Sequence, residues 1–108
     1  MTIDELIEES WQTSEDKGWH DKPKTFGDDV ALIHSEVSEA LEAHRDGYLL
    51  DHIAVHNGKP EGIAAEFADV FIRIADVCKQ NRIPLVQAIR LKLAYNKTRP
   101  YRHGGKAL

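Results

Sequence analysis

Two pairs of acidic residues, each three positions apart, constrain this sequence more than any other feature. Glu36 and Glu39 form the first pair, and Glu66 and Asp69 form the second. Residues three apart on a helix are neighbours on one face, so each pair presents two carboxylates together. If the two helices pack side by side, four carboxylates surround one point. Oxygen ligands of this kind suit a hard cation such as Mg²⁺ or Mn²⁺ rather than zinc.

The acidic pairs lie at the edge of the predicted core rather than on the solvated face of their helices. The main apolar stripe of the second helix consists of Val30, Ile33, Val37, Ala40 and Leu41. The broad apolar face of the third helix consists of Ile63, Phe67, Val70, Phe71, Ile74 and Cys78. Either pair alone is common on an exposed helix, but two pairs bordering the core favour a metal site. Arg73, one turn beyond Asp69, is the alternative source of counter-charge.

The apolar periodicity predicts a single all-α domain built as a four-helix bundle. Four segments have helical spacing, no domain linker separates them, and 108 residues suffice for one modest core. The expected parts are an N-terminal helix and loop (1–24), the metal-site helices with the fourth helix (25–97), and a basic C-terminal tail (98–108). The segment 48–59 fits either a short helical turn or a two-stranded excursion.

Capping and helix-breaking residues set the expected limits of the helices. A capping box at Thr2 opens the first helix, which should end near Asp16. The second helix should begin between Thr25 and Asp28. Pro60 is expected at or near the first turn of the third helix, where proline is favoured because its missing N–H has no partner to lose.

Charge is strongly segregated along the chain. All eighteen acidic residues lie at or before Asp76, together with only six of the fourteen Lys and Arg residues. The cations of the acid-free remainder include Lys92, Lys97, Arg99, Arg102 and Lys106. Such a segment can supply positive charge to a metal-bound phosphate chain, or it can be a disordered basic tail. The overall acidity and the lack of a recognition motif argue against nucleic acid as the partner.

The cysteine content and the hydropathy indicate the compartment. Cys78 is the only cysteine and cannot form an internal disulfide, so a reducing cytoplasm is expected. No apolar run approaches the ~20 residues that a membrane-spanning helix needs, so no membrane partner is expected.

The acidic motifs and their surroundings resemble the MazG-like all-α nucleoside triphosphate pyrophosphohydrolases. The motif Glu36-x-x-Glu39, a gap of 26 residues and then Glu66-x-x-Asp69 carry the likeness. The surrounding sequences IHSEVSEA and AEFADV, and the later YNKTRP, are similar to that family too. The resemblance covers roughly residues 26 to 106.

This resemblance implies a hydrolase that cleaves a ribo- or deoxyribonucleoside triphosphate between the α and β phosphates, in a house-cleaning or nucleotide-pool role. It implies Mg²⁺, or Mn²⁺, held by Glu36, Glu39, Glu66 and Asp69. Either Glu36 or Glu39 would be the catalytic base, and the protein would form a homodimer or homotetramer. The residues implied to bind the phosphates are Lys92, Asn96, Lys97 and Arg99, with tail contacts from Arg102 and Lys106. Trp11 and Trp19 are more often core or capping residues, but one of them can stack on a nucleobase.

Two alternatives remain open from the sequence. The phosphoribosyl-ATP pyrophosphohydrolases share the helical superfamily and similar acidic pairs, so a modified nucleotide can be the substrate. A helical dimerisation or binding module without catalysis is the other alternative. In that module Arg73 would neutralise the acidic row on its own helix, which includes Glu66 and Asp69. A response to Mg²⁺ distinguishes an enzyme from such a module, because a ligand that binds only the folded state stabilises it.

Overall fold

The computed structural model describes residues 1–101, and within them the chain forms four α-helices and one β-hairpin. The elements are α1 (Ile3–Asp16), α2 (Phe26–Arg45), β1 (Ala54–His56), β2 (Lys59–Glu61), α3 (Ile63–Asn81) and α4 (Leu85–Thr98). The prediction of a mainly helical fold is therefore confirmed. None of the described helices is long and apolar enough to cross a bilayer.

Reciprocal capping boxes begin the first two helices. The Thr2 hydroxyl accepts the Glu5 N–H at 3.0 Å, and the Glu5 carboxylate accepts the Thr2 N–H at 2.9 Å. Thr25 and Asp28 repeat the arrangement at α2, with distances of 3.0 and 3.1 Å. Each box satisfies two amides that the helix itself leaves unpaired, and each places a carboxylate at the positive end of the helix dipole. The predicted starts of these two helices are confirmed.

The segment before α3 forms an antiparallel hairpin, and Pro60, expected at or near the first turn of the third helix, lies in this hairpin and not in the helix. Asn57 and Gly58 form the turn with φ angles of 53° and 80°, the left-handed conformation that a two-residue hairpin turn of this twist requires. Pro60 pairs with Val55 in β2. A proline is tolerated there because a strand at a sheet edge does not need every N–H. Helix α3 begins three residues later, at Ile63.

A glycine and an aromatic ring fix the junction between the hairpin and α3. Gly62 has a φ angle of 107°, and a Cβ added to it would lie 3.1 Å from Cδ1 of Tyr48. The Tyr48 hydroxyl donates a hydrogen bond to the Glu61 carboxylate at 3.1 Å. The positive φ and the closeness of the ring both favour glycine at this position, and the ring connects the end of α2 to the hairpin.

The helices α1, α2 and α3 form the packed part of the molecule, with α3 against both of the others. The buried apolar residues are mostly small: Ala40, Ala43, Ile63, Ala75, Val77 and Cys78. The prediction that the apolar stripe of α2 fills the core is only partly correct, because Val37 is 50% exposed and Leu41 is 56% exposed. Glu36 and Ala43, which are not part of that stripe, are buried instead.

The fourth helix contributes little to this core. None of its residues is buried, and it packs only sparsely on the other described elements. Within residues 1–101, the bundle of a single chain is thus three packed helices with α4 beside them. The apolar residues Leu91, Leu93 and Tyr95 on α4 are each more than half exposed.

Candidate functional site

The packing of α2 against α3 brings three of the four predicted metal ligands together. Glu36 and Glu39 come from α2 and Glu66 from α3, and one carboxylate oxygen of each lies within 4.8 Å of the others. The spacing of three residues places both α2 carboxylates on the side that faces α3. We call these three residues the carboxylate cluster.

The fourth predicted ligand, Asp69, lies next to the carboxylate cluster but is not within it. Asp69 is an exposed residue, and it lines the same two cavities as Glu36. Desolvation of its carboxyl group and the charge of Glu36 raise the pKa of Asp69, while Arg73 and Lys59 act in the opposite direction. Asp69 therefore shares the electrostatic field of the cluster.

Burial and partial pairing distinguish the carboxylate cluster from a solvated acidic patch. Glu36 is only 8% exposed, and Arg73 Nε donates to its Oε1 at 2.7 Å. The second oxygen of Glu36 and Oε2 of Glu66 are buried, and neither has a hydrogen-bond partner among the described residues. Burying an anionic oxygen without a partner is costly, so these two atoms are available to a cation.

The titration behaviour of Glu66 agrees with that electrostatic picture. Desolvation, a hydrogen bond with the Glu39 carboxylate and the charge of Glu39 raise the pKa of Glu66 above its ordinary value. All three effects disfavour a further negative charge at the same point. Arg73 supplies one positive charge to the cluster, and its side chain is 39% exposed. The three carboxylates therefore retain an excess of negative charge that a divalent cation can neutralise.

Two cavities open from the carboxylate cluster, and Glu36 and Asp69 line both of them. The first has a volume of about 520 Å³, with apolar and aromatic walls from Trp19, Leu32 and Ile72 and cations from Lys24 and Arg73. The second has a volume of about 410 Å³ and lies between α2, the hairpin and the start of α3. Its lining includes the following carboxylates: Glu36, Glu39, Glu42, Asp46, Glu61, Glu66 and Asp69.

The structure separates the two tryptophans that were predicted as stacking residues. Trp19 is 59% exposed and forms part of the first cavity. Trp11 instead packs at 5.9 Å from the ring of His20, with Lys79 Nζ 5.8 Å from its centre. Trp19 is therefore positioned to stack on a ligand in this cavity, whereas Trp11 belongs to the contact between α1 and α3.

The predicted phosphate-binding residues lie apart from both cavities. Those on or next to α4 are Lys92, Asn96, Lys97 and Arg99, and all four are exposed. None of them lines either of the two cavities described above. Lys92 instead has its Nζ 5.7 Å from the Tyr95 ring. Arg102 and Lys106, the predicted tail contacts, lie outside the described residues.

His20, a residue with no role predicted from the sequence, joins the loop after α1 to α3. Its imidazole lies 2.9 Å from the Asp76 carboxylate and 3.0 Å from that of Glu15. The Ser14 hydroxyl donates to the same Asp76 group at 3.1 Å. Desolvation lowers the pKa of His20, but the two carboxylates outweigh it and raise the pKa above its ordinary 6.5. The loop that carries Trp19 is therefore held by a pair of ionic contacts.

This network predicts a pH-dependent contribution to stability. Because the folded pKa of His20 is raised, its contribution is fully present below about pH 6.5 and is lost as the pH rises through the folded value. We expect His20→Gln to lower the free energy of unfolding by about 1 kcal/mol at pH 6 and by less at pH 9. Urea unfolding at both pH values measures this difference. His52→Gln, at a surface imidazole that is 66% exposed, is the control. An equal loss at both pH values would contradict the prediction.

Comparisons with protein-family models, with curated proteins and with solved structures find no match to this chain. A function for this chain must therefore be argued from the geometry and charge of the carboxylate cluster, and the family resemblance of the same acidic motifs stays a prediction.

Proposed function

We propose that this protein is a Mg²⁺-dependent nucleoside triphosphate pyrophosphohydrolase that releases a nucleoside monophosphate and pyrophosphate. The observation that carries the proposal is the pair of buried, unpartnered oxygens on Glu36 and Glu66, within a carboxylate cluster that opens on two cavities. The resemblance of the acidic motifs to the MazG-like enzymes supports the same activity. Fold class alone would not, because one architecture hosts many functions.

The residues of the cluster fit a hard divalent cation. Glu36, Glu39 and Glu66 would hold Mg²⁺ or Mn²⁺. Asp69 lines the same two cavities as Glu36, so its carboxylate could assist. These side chains offer only oxygen atoms as ligands, and Oε2 of Glu36 and Oε2 of Glu66 have no hydrogen-bond partner among the described residues. When bound, the ion would neutralise charge on the phosphate chain and favour ionisation of the attacking water.

The two α2 glutamates differ in a way that separates their roles. One oxygen of Glu36 is occupied by Arg73 Nε, and the residue is buried. Glu39 is exposed and has no such partner among the described residues. We assign Glu39 as the group that accepts the proton from water, because its carboxylate is exposed and no cation among the described residues pairs with it. Glu36 is then the ligand that Arg73 orients.

The first cavity suits the nucleoside part of the substrate. Trp19 offers an exposed aromatic face, while Leu32 and Ile72 provide apolar contact. Stacking on such a face is tolerant of the base, since every base has a flat π surface. Glu36 and Asp69 form the side of this cavity next to the cluster, so a nucleoside placed here has its phosphates at the carboxylates.

We also propose that the functional unit is a homodimer or a dimer of dimers. Adjacent helices α2 and α3 each present exposed apolar residues one turn apart, Val37 and Leu41 on α2 and Phe67 and Phe71 on α3. The buried core of one chain is small and rich in alanine, so covering these faces with a second copy supplies apolar burial that a single chain does not have.

The buried, free thiol of Cys78 supports a reducing, cytoplasmic compartment.

Sedimentation analysis tests the oligomer separately from the chemistry. We expect the wild-type protein to sediment as a dimer or tetramer and Phe71→Lys to shift it toward the monomer, because a charge in an apolar interface is costly. A wild-type protein that stays monomeric at all concentrations would contradict this part of the proposal.

A non-catalytic helical module is the second candidate, and one observation favours it. The Arg73–Glu36 ion pair already neutralises part of the carboxylate cluster without any metal. In that case the acidic row would be structural, and the protein would act through its exposed apolar faces. The unpartnered oxygens of Glu36 and Glu66 weigh against this candidate, because Arg73 leaves both of them unsatisfied.

Product analysis tests the proposed activity. The protein is incubated with a panel of ribo- and deoxyribonucleoside triphosphates, with Mg²⁺ and with chelator. We expect monophosphate and pyrophosphate in equal amounts, only when the metal is present. Diphosphate and orthophosphate would overturn the assignment of the bond. No turnover of any nucleotide, including phosphoribosyl-ATP, would favour the non-catalytic module.

A further inference from the structure

The β-hairpin carries a lysine into the second cavity, and nothing in the sequence analysis assigned it a role. The tight turn at Asn57 and Gly58 pairs His56 with Lys59, so Lys59 is the first residue of β2. Tyr48 fixes the other end of this strand through its hydrogen bond to Glu61 and its contact over Gly62. The hairpin is therefore a short, braced element, and the position of Lys59 relative to α3 is set by the fold.

Lys59 is an exposed residue in an acidic setting. Among the described residues it is the one cation in the lining of the second cavity, where seven carboxylates also lie. Lys59 forms no ion pair within residues 1–101, where the lysines that do so are Lys24 and Lys79. Lys59 therefore lines the same cavity as the carboxylate cluster without an ion pair to any of its members.

Lys59 is an exposed residue, so its ammonium group is not held in a buried ion pair. A lysine held beside the cluster without a partner has its three donors available for another anion. A phosphate chain that enters the cavity as its complex with a divalent cation offers oxygens of this kind to the ammonium group.

We propose that Lys59 binds the terminal phosphates of the substrate, the part that leaves as pyrophosphate. This inference rests on the proposed function and adds to it the orientation of the bound nucleotide. Glu36 and Asp69 line both cavities, so a nucleotide can cross the cluster with its base against Trp19 in the first and its terminal phosphates in the second. The hairpin is then the phosphate-binding element, in a place where the sequence analysis had expected α4.

Calorimetric titration with pyrophosphate in saturating Mg²⁺ tests the inference without requiring turnover. We expect Lys59→Gln to weaken binding of pyrophosphate by about tenfold, the loss typical of one hydrogen bond between charged groups. Titration with Mg²⁺ alone should be unchanged or slightly tighter, because Lys59 repels the ion. Lys17→Gln makes the same charge change at the end of α1, outside both cavities, and should bind pyrophosphate like the wild type.

The outcomes separate this inference from the proposed function. Unchanged pyrophosphate binding by Lys59→Gln would overturn the role of Lys59, even if the wild-type protein hydrolyses nucleotides. No pyrophosphate binding by the wild type would also overturn it. A tenfold loss in a protein that turns over no triphosphate would support the phosphate site and contradict the hydrolase. In an active enzyme the same variant should raise the KM for the nucleotide more than it lowers kcat, which a merely structural role would not produce.

Discussion

Glu36→Gln should reduce Mg²⁺-dependent hydrolysis of a nucleoside triphosphate by about 100-fold or more, because even a residue that only supports a metal ligand typically contributes about 10–100-fold. Glu36 is the most buried of the three clustered carboxylates, and its Oε2 has no partner among the described residues. An amide of the same size keeps the shape of the side chain but cannot supply the negative charge that a divalent cation needs. Steady-state rates with saturating Mg²⁺, alongside the helical signal in circular dichroism, measure the effect.

Glu42→Gln is the matched control for this variant. Glu42 lies on the same helix and lines the second cavity, and the substitution removes the same charge. Its side chain is 63% exposed and contacts Arg45 at 3.4 Å, so its loss should change the rate by no more than about twofold. Equal rates for Glu36→Gln and the wild type would show that Glu36 is not part of the site. Equal losses in the two variants would show that only the net charge of the region matters.

The second large effect is expected from Arg73→Met. This change removes the only hydrogen-bond donor to Glu36 among the described residues and leaves a buried carboxylate without a counter-charge. We expect the metal-free protein to lose about 1–3 kcal/mol in free energy of unfolding, toward the low end because the guanidinium is partly exposed. Mg²⁺ should restore stability in this variant at least as strongly as it stabilises the wild type, because a divalent cation replaces the missing charge.

Urea unfolding with and without Mg²⁺ measures both parts of this expectation. Arg45→Met is the control, since Arg45 pairs with Glu42 on an exposed face and should cost no more than about 0.5 kcal/mol. If Mg²⁺ stabilises neither the wild type nor Arg73→Met, Arg73 alone balances the cluster and the non-catalytic module is the better account. If Arg73→Met is as stable as the wild type, the ion pair has no structural role.

The sequence predicted those parts of the fold that depend on local chemistry. The capping residues Thr2 and Thr25 begin their helices as expected, because a capping box requires only neighbours in the chain. The hairpin was not resolved in advance, because Pro60 fits both a helix start and an edge strand. The choice between them depends on Tyr48 closing over Gly62, which is a contact between distant parts of the chain.

The candidate site was also predictable in part, since three of the four predicted ligands lie together. Spacing of three residues places Glu36 and Glu39 on one face, and the packing of α2 on α3 then brings Glu66 to them. Helical periodicity could not show that the stripe containing Val37 and Leu41 would remain exposed, since it identifies an apolar face but not its partner. Arg73 was foreseen as a counter-charge to the acidic row.

The residues that sequence reasoning missed lie in loops or on the hairpin. His20 and Lys59 have no periodicity of their own, and their roles follow from the elements that they approach in space. Asp76 lies on α3, but its partners Ser14 and His20 come from a different part of the chain. Only the tertiary structure brings such groups together.

The central claim is that Glu36, Glu39 and Glu66 hold a divalent cation, and anomalous diffraction from crystals grown with Mn²⁺ tests it most directly. We predict a peak bound by carboxylate oxygens of these three residues, with Arg73 still paired to Glu36. A peak at any other set of residues would contradict the assignment of the site. A cluster without a peak in crystals saturated with Mn²⁺ would contradict the metal-dependent mechanism itself.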